Sequence, residues 1–467
     1  MDITLKNLGP IQEANFTVGD LTVICGRNNT GKTYITYALY GFLDDWEHKD
    51  YWALNDVDGL DAYFIKNIFH EKEFIISEQD VFSRAYKLLD SAQVHFNKRI
   101  AGIFNGERSR FSNSHLEIML DSSLYLLKKK RWHSSFIQDE VSEEGASITF
   151  YHDNEKSLVK ISTSKDTSVG DEDFIAFIND AIKNSVFQNI IPKAFIASAE
   201  RTGAALFQRE VDFTRSRLID ILKETNINPQ QLLGRFTAEY PLPVKHNIDF
   251  IRNLPNIINK QSMFTQEHLF AQKHPEVLQA FADIAGGEYA INTTGGVSYS
   301  PSNQPDLKLS LAESSSTVRS LVEIGFYLRH LAQKGDLLMV DEPELNLHPE
   351  NQRKIARLFA MLVNHGIRVF ITTHSDYIIK EFNTLLLLNK PDERLQVLAK
   401  REGYQLSELL KPEQLNVYMT AVDERVTDKI SYTLIPAKIT HDSGIELTSF
   451  NDTIEDMNRL QDEIVWG

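Results

Sequence analysis

The residues best suited to chemistry are Gly26, Arg27, Asn28, Asn29, Thr30, Gly31, Lys32 and Thr33. Their spacing is G-x-x-x-x-G-K-[ST], a loop that cradles phosphate. The glycines let backbone N–H groups curl around phosphate oxygens. Lys32 reaches the β- and γ-phosphates, and the Thr33 hydroxyl can ligate Mg²⁺. A second set lies far downstream, where the apolar run Leu337-Leu338-Met339-Val340 ends in Asp341-Glu342. Asp341 is expected to hold Mg²⁺ through water, and Glu342 to orient and activate an attacking water as general base. His374, after Thr372-Thr373, is placed to contact a γ-phosphate and sense its loss. Ser314, Ser315 and Ser316 open a helical pattern and offer hydroxyls and N–H groups to an anion, or simply cap the helix. ATP and Mg²⁺ are the ligands these residues imply.

Each of these groups needs a particular element to hold it. Leu21-Thr22-Val23-Ile24 reads as the strand entering the loop, and Ile35, Ala38, Leu39 and Phe42 as the buried stripe of the helix leaving it. Residues 337–341 read as a buried strand that delivers both carboxylates to its carboxyl edge. A helix follows from about Glu350, with Ile355, Leu358, Phe359 and Leu362 on its apolar face, and His365-Gly366 ends it. The next strand, Arg368 to Thr373, delivers His374. A helix after the serines presents Val318, Leu321, Val322, Gly325 and Leu328. Taken singly, the loop also reads as a glycine turn, the acidic pair as a solvated strand end and the histidine as structural. Their order along one chain favours the nucleotide reading.

The intervening stretches differ in character. Residues 43–189 are rich in charge and helical spacing, with a hairpin of Ser147–Tyr151 and Leu158–Ser162 around Asp153-Asn154 and a polar loop over 163–171. Ile190 to Ala197 reads as a return to a core strand, residues 205–285 as mostly helical, and residues 286–299 as β. At 467 residues, the chain predicts two or three lobes. Its one cysteine, Cys25, excludes an intramolecular disulfide and fits a reducing cytoplasm. No apolar run approaches the ~18 residues of a membrane span, and the N-terminus lacks signal-peptide regions. A net charge of −16 argues against nonspecific coating of DNA. Lys128-Lys129-Lys130-Arg131, before Trp132 and His133, reads as a solvated helix face or a local nucleic-acid contact.

Together the motifs resemble the ABC-type ATPase heads of the RecF, SMC and OLD-like families. The order matches: phosphate loop, long insertion, serine-rich signature, Asp-Glu strand, histidine switch. Asp341-Glu342-Pro343-Glu344, Leu347-His348-Pro349, Thr373-His374-Ser375 and Ala199-Glu200-Arg201 look most like the OLD-like branch. Within it, the chain looks similar to stand-alone anti-phage defence ATPase subunits of the Septu PtuA or PARIS AriA type. The resemblance implies an α/β fold: a discontinuous P-loop ATPase head over 1–42, 190–204 and 286–390, with mainly helical insertions at 43–189 and 205–285. Residues 391–467 would be a docking or oligomerisation segment. It also implies a homo-oligomer, in which Ser314 and Ser315 complete a partner head's ATP site. A glycine usually follows the signature serines; Ser316 stands there, and its side chain crowds the backbone approach, which predicts slow hydrolysis. The C-terminal residues lack a Toprim-like acidic pair or a His–Asn–His cluster; Asp423, Glu424 and Asp428 sit in a polar context read as helical. The effector is therefore expected to be a separate nuclease or toxin, with DNA or a phage product as trigger. A RecF-like DNA-repair clamp is the alternative.

Overall fold

The computed structural model describes residues 1–48, 73–120, 137–141, 146–153, 158–163, 183–184, 186–187, 190–206, 240–263, 270–292, 295–426, 430–446 and 459–464. Contacts divide the chain into two compact units: residues 1–4, 42–100 and 115–193, and residues 5–41, 101–114 and 194–467.

The first strands are β1 (Asp2–Leu8), β2 (Ile11–Thr17) and β3 (Leu21–Cys25), followed by helix α1 (Lys32–His48). The smaller unit then holds β4 (Glu73–Ser77), most of α2 (Glu78–Ile103), β5 (His115–Met119), β6 (Ile137–Val141), β7 (Ala146–Asp153) and β8 (Leu158–Thr163). Its four-stranded antiparallel sheet has the order β4-β8-β7-β6. The expected hairpin is β7–β8, and it belongs to this larger sheet. Phe42 packs edge-on against Phe96 of α2 at 5.6 Å, and Trp46 against Phe187 at 5.4 Å. The basic run 128–131 and most of the polar loop fall outside the described residues.

The larger unit continues with β9 (Ala194–Ala197), α3 (Leu242–Met263), α4 (Phe270–Lys273), α5 (Pro275–Ala285) and the antiparallel β10 (Gly287–Ile291), β11 (Val297–Pro301) and β12 (Leu309–Ser310). Then come α6 (Ser316–His330), β13 (Leu337–Asp341), α7 (Pro349–Asn364), β14 (Arg368–Thr373), α8 (Asp376–Leu388), α9 (Glu393–Arg401), β15 (Leu415–Val422) and β16 (Tyr432–Pro436). Its sheet runs β1-β2-β16-β15-β3-β14-β13-β9. The centre is parallel: β3 pairs with both β14 and β15, and β13 with both β14 and β9.

Every residue of β3 and β13 is buried. That explains their unbroken apolar sequence, since a parallel strand is covered on both faces. Alternate residues Leu21, Val23, Leu338, Val340, Val369 and Ile371 join one core with Leu321 and Val322 of α6, Ile355 and Phe359 of α7, and Phe382 of α8. Phe370 points the other way and meets Phe16 at 6.1 Å. Each large side chain so buried contributes about 1.5–3 kcal/mol. Both stripes read from the sequence for α6 and α7 are buried. Pro349 sits at the start of α7 and Gly366, with φ +88°, just past its end.

Part of residues 391–467, expected as a docking or oligomerisation segment, lies within the head's own sheet. β15 lies in the middle of the sheet, hydrogen-bonded to β3 on one side and β16 on the other. Its sequence, LNVYMTAV, names no neighbour, and the pairing with β3 places it. Asp423 is not helical either; it follows β15 and its N–H donates to Ser431 O at 2.8 Å. Among the described residues, no helix is long and apolar enough to cross a membrane.

Candidate nucleotide site

The loop Gly26–Thr33 joins the carboxyl end of β3 to the first turn of α1. Gly26 has φ +152°, and a Cβ there would stand 1.8 Å from Thr420 Oγ1 on β15. Gly31 has φ +95°, and a Cβ there would press on Ile11 and Pro10 at 2.8–3.0 Å. Both positions therefore require glycine. Asn29 adopts φ +65°, and Arg27, Asn28 and Asn29 are exposed. Thr30 Oγ1 donates to Arg27 O at 2.8 Å and accepts from Thr420 Oγ1 at 2.9 Å. Lys32 is buried, and its ammonium donates to Gly26 O and Arg27 O, both at 2.9 Å. Burial pulls its pKa down, against the carboxylates of Glu342, Asp341 and Glu344.

β13 and β14 bring the acidic pair and the histidine to the same edge. Asp341 stands opposite Thr372 in the ladder, and Thr373 opposite Cys25. Gly26 N–H donates to Thr373 O at 3.3 Å, which fixes the loop against β14. The Asp341 carboxyl is fully buried; its Oδ1 accepts from the Thr372 hydroxyl, and the Thr33 hydroxyl is near enough to favour its ionised form. Its second oxygen, Oδ2, has no hydrogen-bond partner. Burial raises its pKa to about 6.

Glu342 has φ +51°, a left-handed conformation that costs a non-glycine residue about 1–3 kcal/mol. Three contacts hold it there: its N–H reaches Thr372 O at 3.1 Å and Thr372 Oγ1 at 3.2 Å, and its carbonyl accepts from Arg201 Nη2 at 2.9 Å. His374 Nδ1 lies 3.5 Å from Glu342 Oε1 and 3.0 Å from Glu344 Oε1. Contact with Glu342, aided by the charge of Glu344, raises the imidazole pKa; His374 in turn lowers that of Glu342. Glu344, nearly buried, also accepts from His374 N–H at 2.7 Å and from Thr373 Oγ1 at 2.9 Å.

Gly26 to Thr33, Asp341, Glu342 and His374 thus gather at one sheet edge. Ser314, Ser315 and Ser316 lie at the start of α6, where the hydroxyls of the first two bond locally. Ser314 Oγ donates to Ser310 O at 2.7 Å, Ser315 caps α6 by accepting from Val318 N–H at 3.3 Å, and Ser316 is the first residue of the helix. Of the three, Ser315 is the one that caps the helix. Thr317 Oγ1 donates to Asn346 O at 2.6 Å, tying the start of α6 to the loop after Glu342.

Sequence reasoning missed three contributors. Arg201 is buried, and its guanidinium spends its donors on four carbonyls: Ser198 at 2.9 Å, Ser320 at 2.9 Å, Asp341 at 2.7 Å and Glu342 at 2.9 Å. Glu344 orients His374, and Thr420 closes over the loop from β15. Arg201 and Glu344 lay inside noted motifs; Thr420 had no local signal.

A family model described as the AAA ATPase domain matches residues 1–379. No curated protein matches the chain. Similar solved structures include an SMC head bound to the C-winged helix domain of ScpA, at 13% identity and TM-score 0.33, covering 93% of this chain and 96% of that one. The SMC head domain from Thermotoga maritima has 9% identity and TM-score 0.29, covering 94% and 98%. An SMC head with an extended coiled coil from Pyrococcus furiosus, bound to the C-terminal domain of ScpA, has 10% identity and TM-score 0.32, covering 98% of each. Scores this low leave the fold to rest on the chain's own sheet order and phosphate loop. On that order, on the loop and on a family match spanning most of its length, the chain is an α/β P-loop ATPase and belongs to the AAA ATPase domain family.

Proposed function

We propose that this ATPase is a slowly hydrolysing subunit of a bacterial anti-phage defence complex, which oligomerises through its heads and controls a separate nuclease or toxin. The observation that carries the reading is the convergence of Lys32, Asp341, Glu342 and His374 at the carboxyl ends of β3, β13 and β14. Lys32 moves from its two loop carbonyls to the β- and γ-phosphates of ATP. The unpartnered Oδ2 of Asp341, beside the Thr33 hydroxyl, fits Mg²⁺, so these two residues would hold the ion. When bound, Mg²⁺ neutralises charge on the β- and γ-oxygens. Glu342, kept ionised by His374, orients water and accepts its proton. His374, steadied by Glu344, meets the γ-phosphate and registers its loss. Ser314, Ser315 and Ser316 face the nucleotide of a second protomer, with the N-terminus of α6 favouring the anion. The side chain of Ser316 in place of glycine slows closure. The motif order supports the defence assignment through its resemblance to stand-alone OLD-like subunits.

The test is affinity purification of Glu342→Gln from its host with ATP present, followed by native mass measurement and a turnover assay. Turnover should fall about 10²- to 10⁴-fold while ATP is retained. A dimer or larger assembly should carry a nuclease or toxin-like protein in stoichiometric amount. Wild-type turnover would remove Glu342 as base. An ATP-loaded monomer would remove the head sandwich. DNA and recombination proteins in place of an effector would favour the RecF-like clamp.

A further inference from the structure

Three metal-ligating side chains meet at the opposite end of the parallel strands from the phosphate loop. His274 precedes α5, Glu276 lies in the first turn of α5, and His365 follows the last residue of α7. His365 leads into β14 at its amino end, whereas His374 leaves that strand at its carboxyl end. His365 Nε2 is 3.1 Å from Glu276 Oε1, and His274 Nδ1 is 3.4 Å from the same oxygen. All three donor atoms lie within 4.8 Å of one another. A tetrahedral Zn²⁺ with bonds of about 2.0–2.2 Å holds its ligands about 3.3 Å apart. The two close contacts match that spacing.

The surroundings favour a shared cation over a simple ion pair. The two rings lie with centroids 4.0 Å apart, and Phe270 packs against His274 at 4.7 Å. His365 Nε2 is buried and makes no hydrogen bond, although it faces the Glu276 carboxylate. Two imidazoles and one carboxylate suit a borderline ion such as Zn²⁺ rather than Mg²⁺, which prefers oxygen. The Glu276 side chain is 41% exposed, so solvent reaches the cluster and can supply a fourth ligand.

We infer that His274, Glu276 and His365 form a binding site for one Zn²⁺ ion, separate from the nucleotide site, with water as fourth ligand. The ion would join the start of α5 to the end of α7. That helix connects the Asp341-Glu342 strand to the His374 strand, and metal binding at its end stabilises the folded head.

The experiment uses the full chain, stripped with chelator and free of nucleotide, titrated with ZnCl₂ against a chromophoric zinc indicator. One equivalent should bind, and the thermal midpoint should rise. His274→Ala with His365→Ala should bind more than about 100-fold more weakly and lose the thermal shift. Glu276→Gln, at an exposed position that tolerates change, should also weaken binding if the double variant does not fold. Asp341→Asn should bind zinc as the wild type does. The inference falls if no saturable one-to-one binding occurs, if the histidine and glutamate variants bind normally, or if Asp341→Asn abolishes binding.

Discussion

Arg201 organises the end of β13 through its backbone. Its planar fork meets carbonyls of β13, of the turn after β9 and of α6 at once, and two of the four belong to Asp341 and Glu342. A lysine in that place keeps the charge but has a single donor group, so buried carbonyls lose their partners. Arg201→Lys should lower stability by about 2–4 kcal/mol in urea denaturation. It should also weaken ATP binding, because the left-handed Glu342 depends on that contact. Unchanged stability would mean that the carbonyls find other partners. Glu342 itself shows why the fork matters: a conformation unfavourable for glutamate persists because hydrogen bonds with Thr372 and Arg201 fix its backbone.

Helix α6 links the serine segment to the core and carries a titrating group in its last turn. His330 stacks on Phe326 at 5.9 Å. A helix C-terminus ordinarily favours a protonated histidine, but burial and the adjacent Arg329 push this one down to about 4 from the usual 6.5. Between those values the unfolded chain binds a proton that the folded chain refuses. Stability therefore rises with pH across this window and is lost on acidification. His330→Gln, which cannot titrate, should remove part of the stability change between pH 4 and 6.5, about 1 kcal/mol once solvent screening of this partly exposed ring is allowed for. Urea melts at pH 4.5 and 7 would measure it, and parallel slopes in the two proteins would remove His330 as the cause.

At the scale of the molecule, the C-terminal segment supplies a central strand of the sheet that carries the phosphate loop. Removing residues 391–467 takes β15 away from β3 and exposes the edge that carries the phosphate loop. It also takes away Thr420, which bonds Thr30 and packs over Gly26. A chain ending at residue 390 should show no cooperative thermal transition and no ATP binding by calorimetry. A folded, ATP-binding truncation would show that β15 is dispensable and restore the docking view of this segment.

The sequence by itself determined what is local. The phosphate loop is contiguous, so its residue types name its ligand. The Asp341-Glu342 and His374 strands are short apolar runs whose ends must reach a sheet edge, and the stripes of α6 and α7 follow from helical period. The tertiary structure decided what depends on residues distant in sequence. Strand pairing is chosen by packing, and nothing near Leu415 announces β3 as its neighbour. The donors of Arg201 could be assigned only once four separate carbonyls surrounded it. The positive φ of Glu342 follows from the same convergence, as does the His274–Glu276–His365 cluster, where two helix ends meet. Periodicity reports which face of an element is buried; only the folded chain selects what that face is buried against.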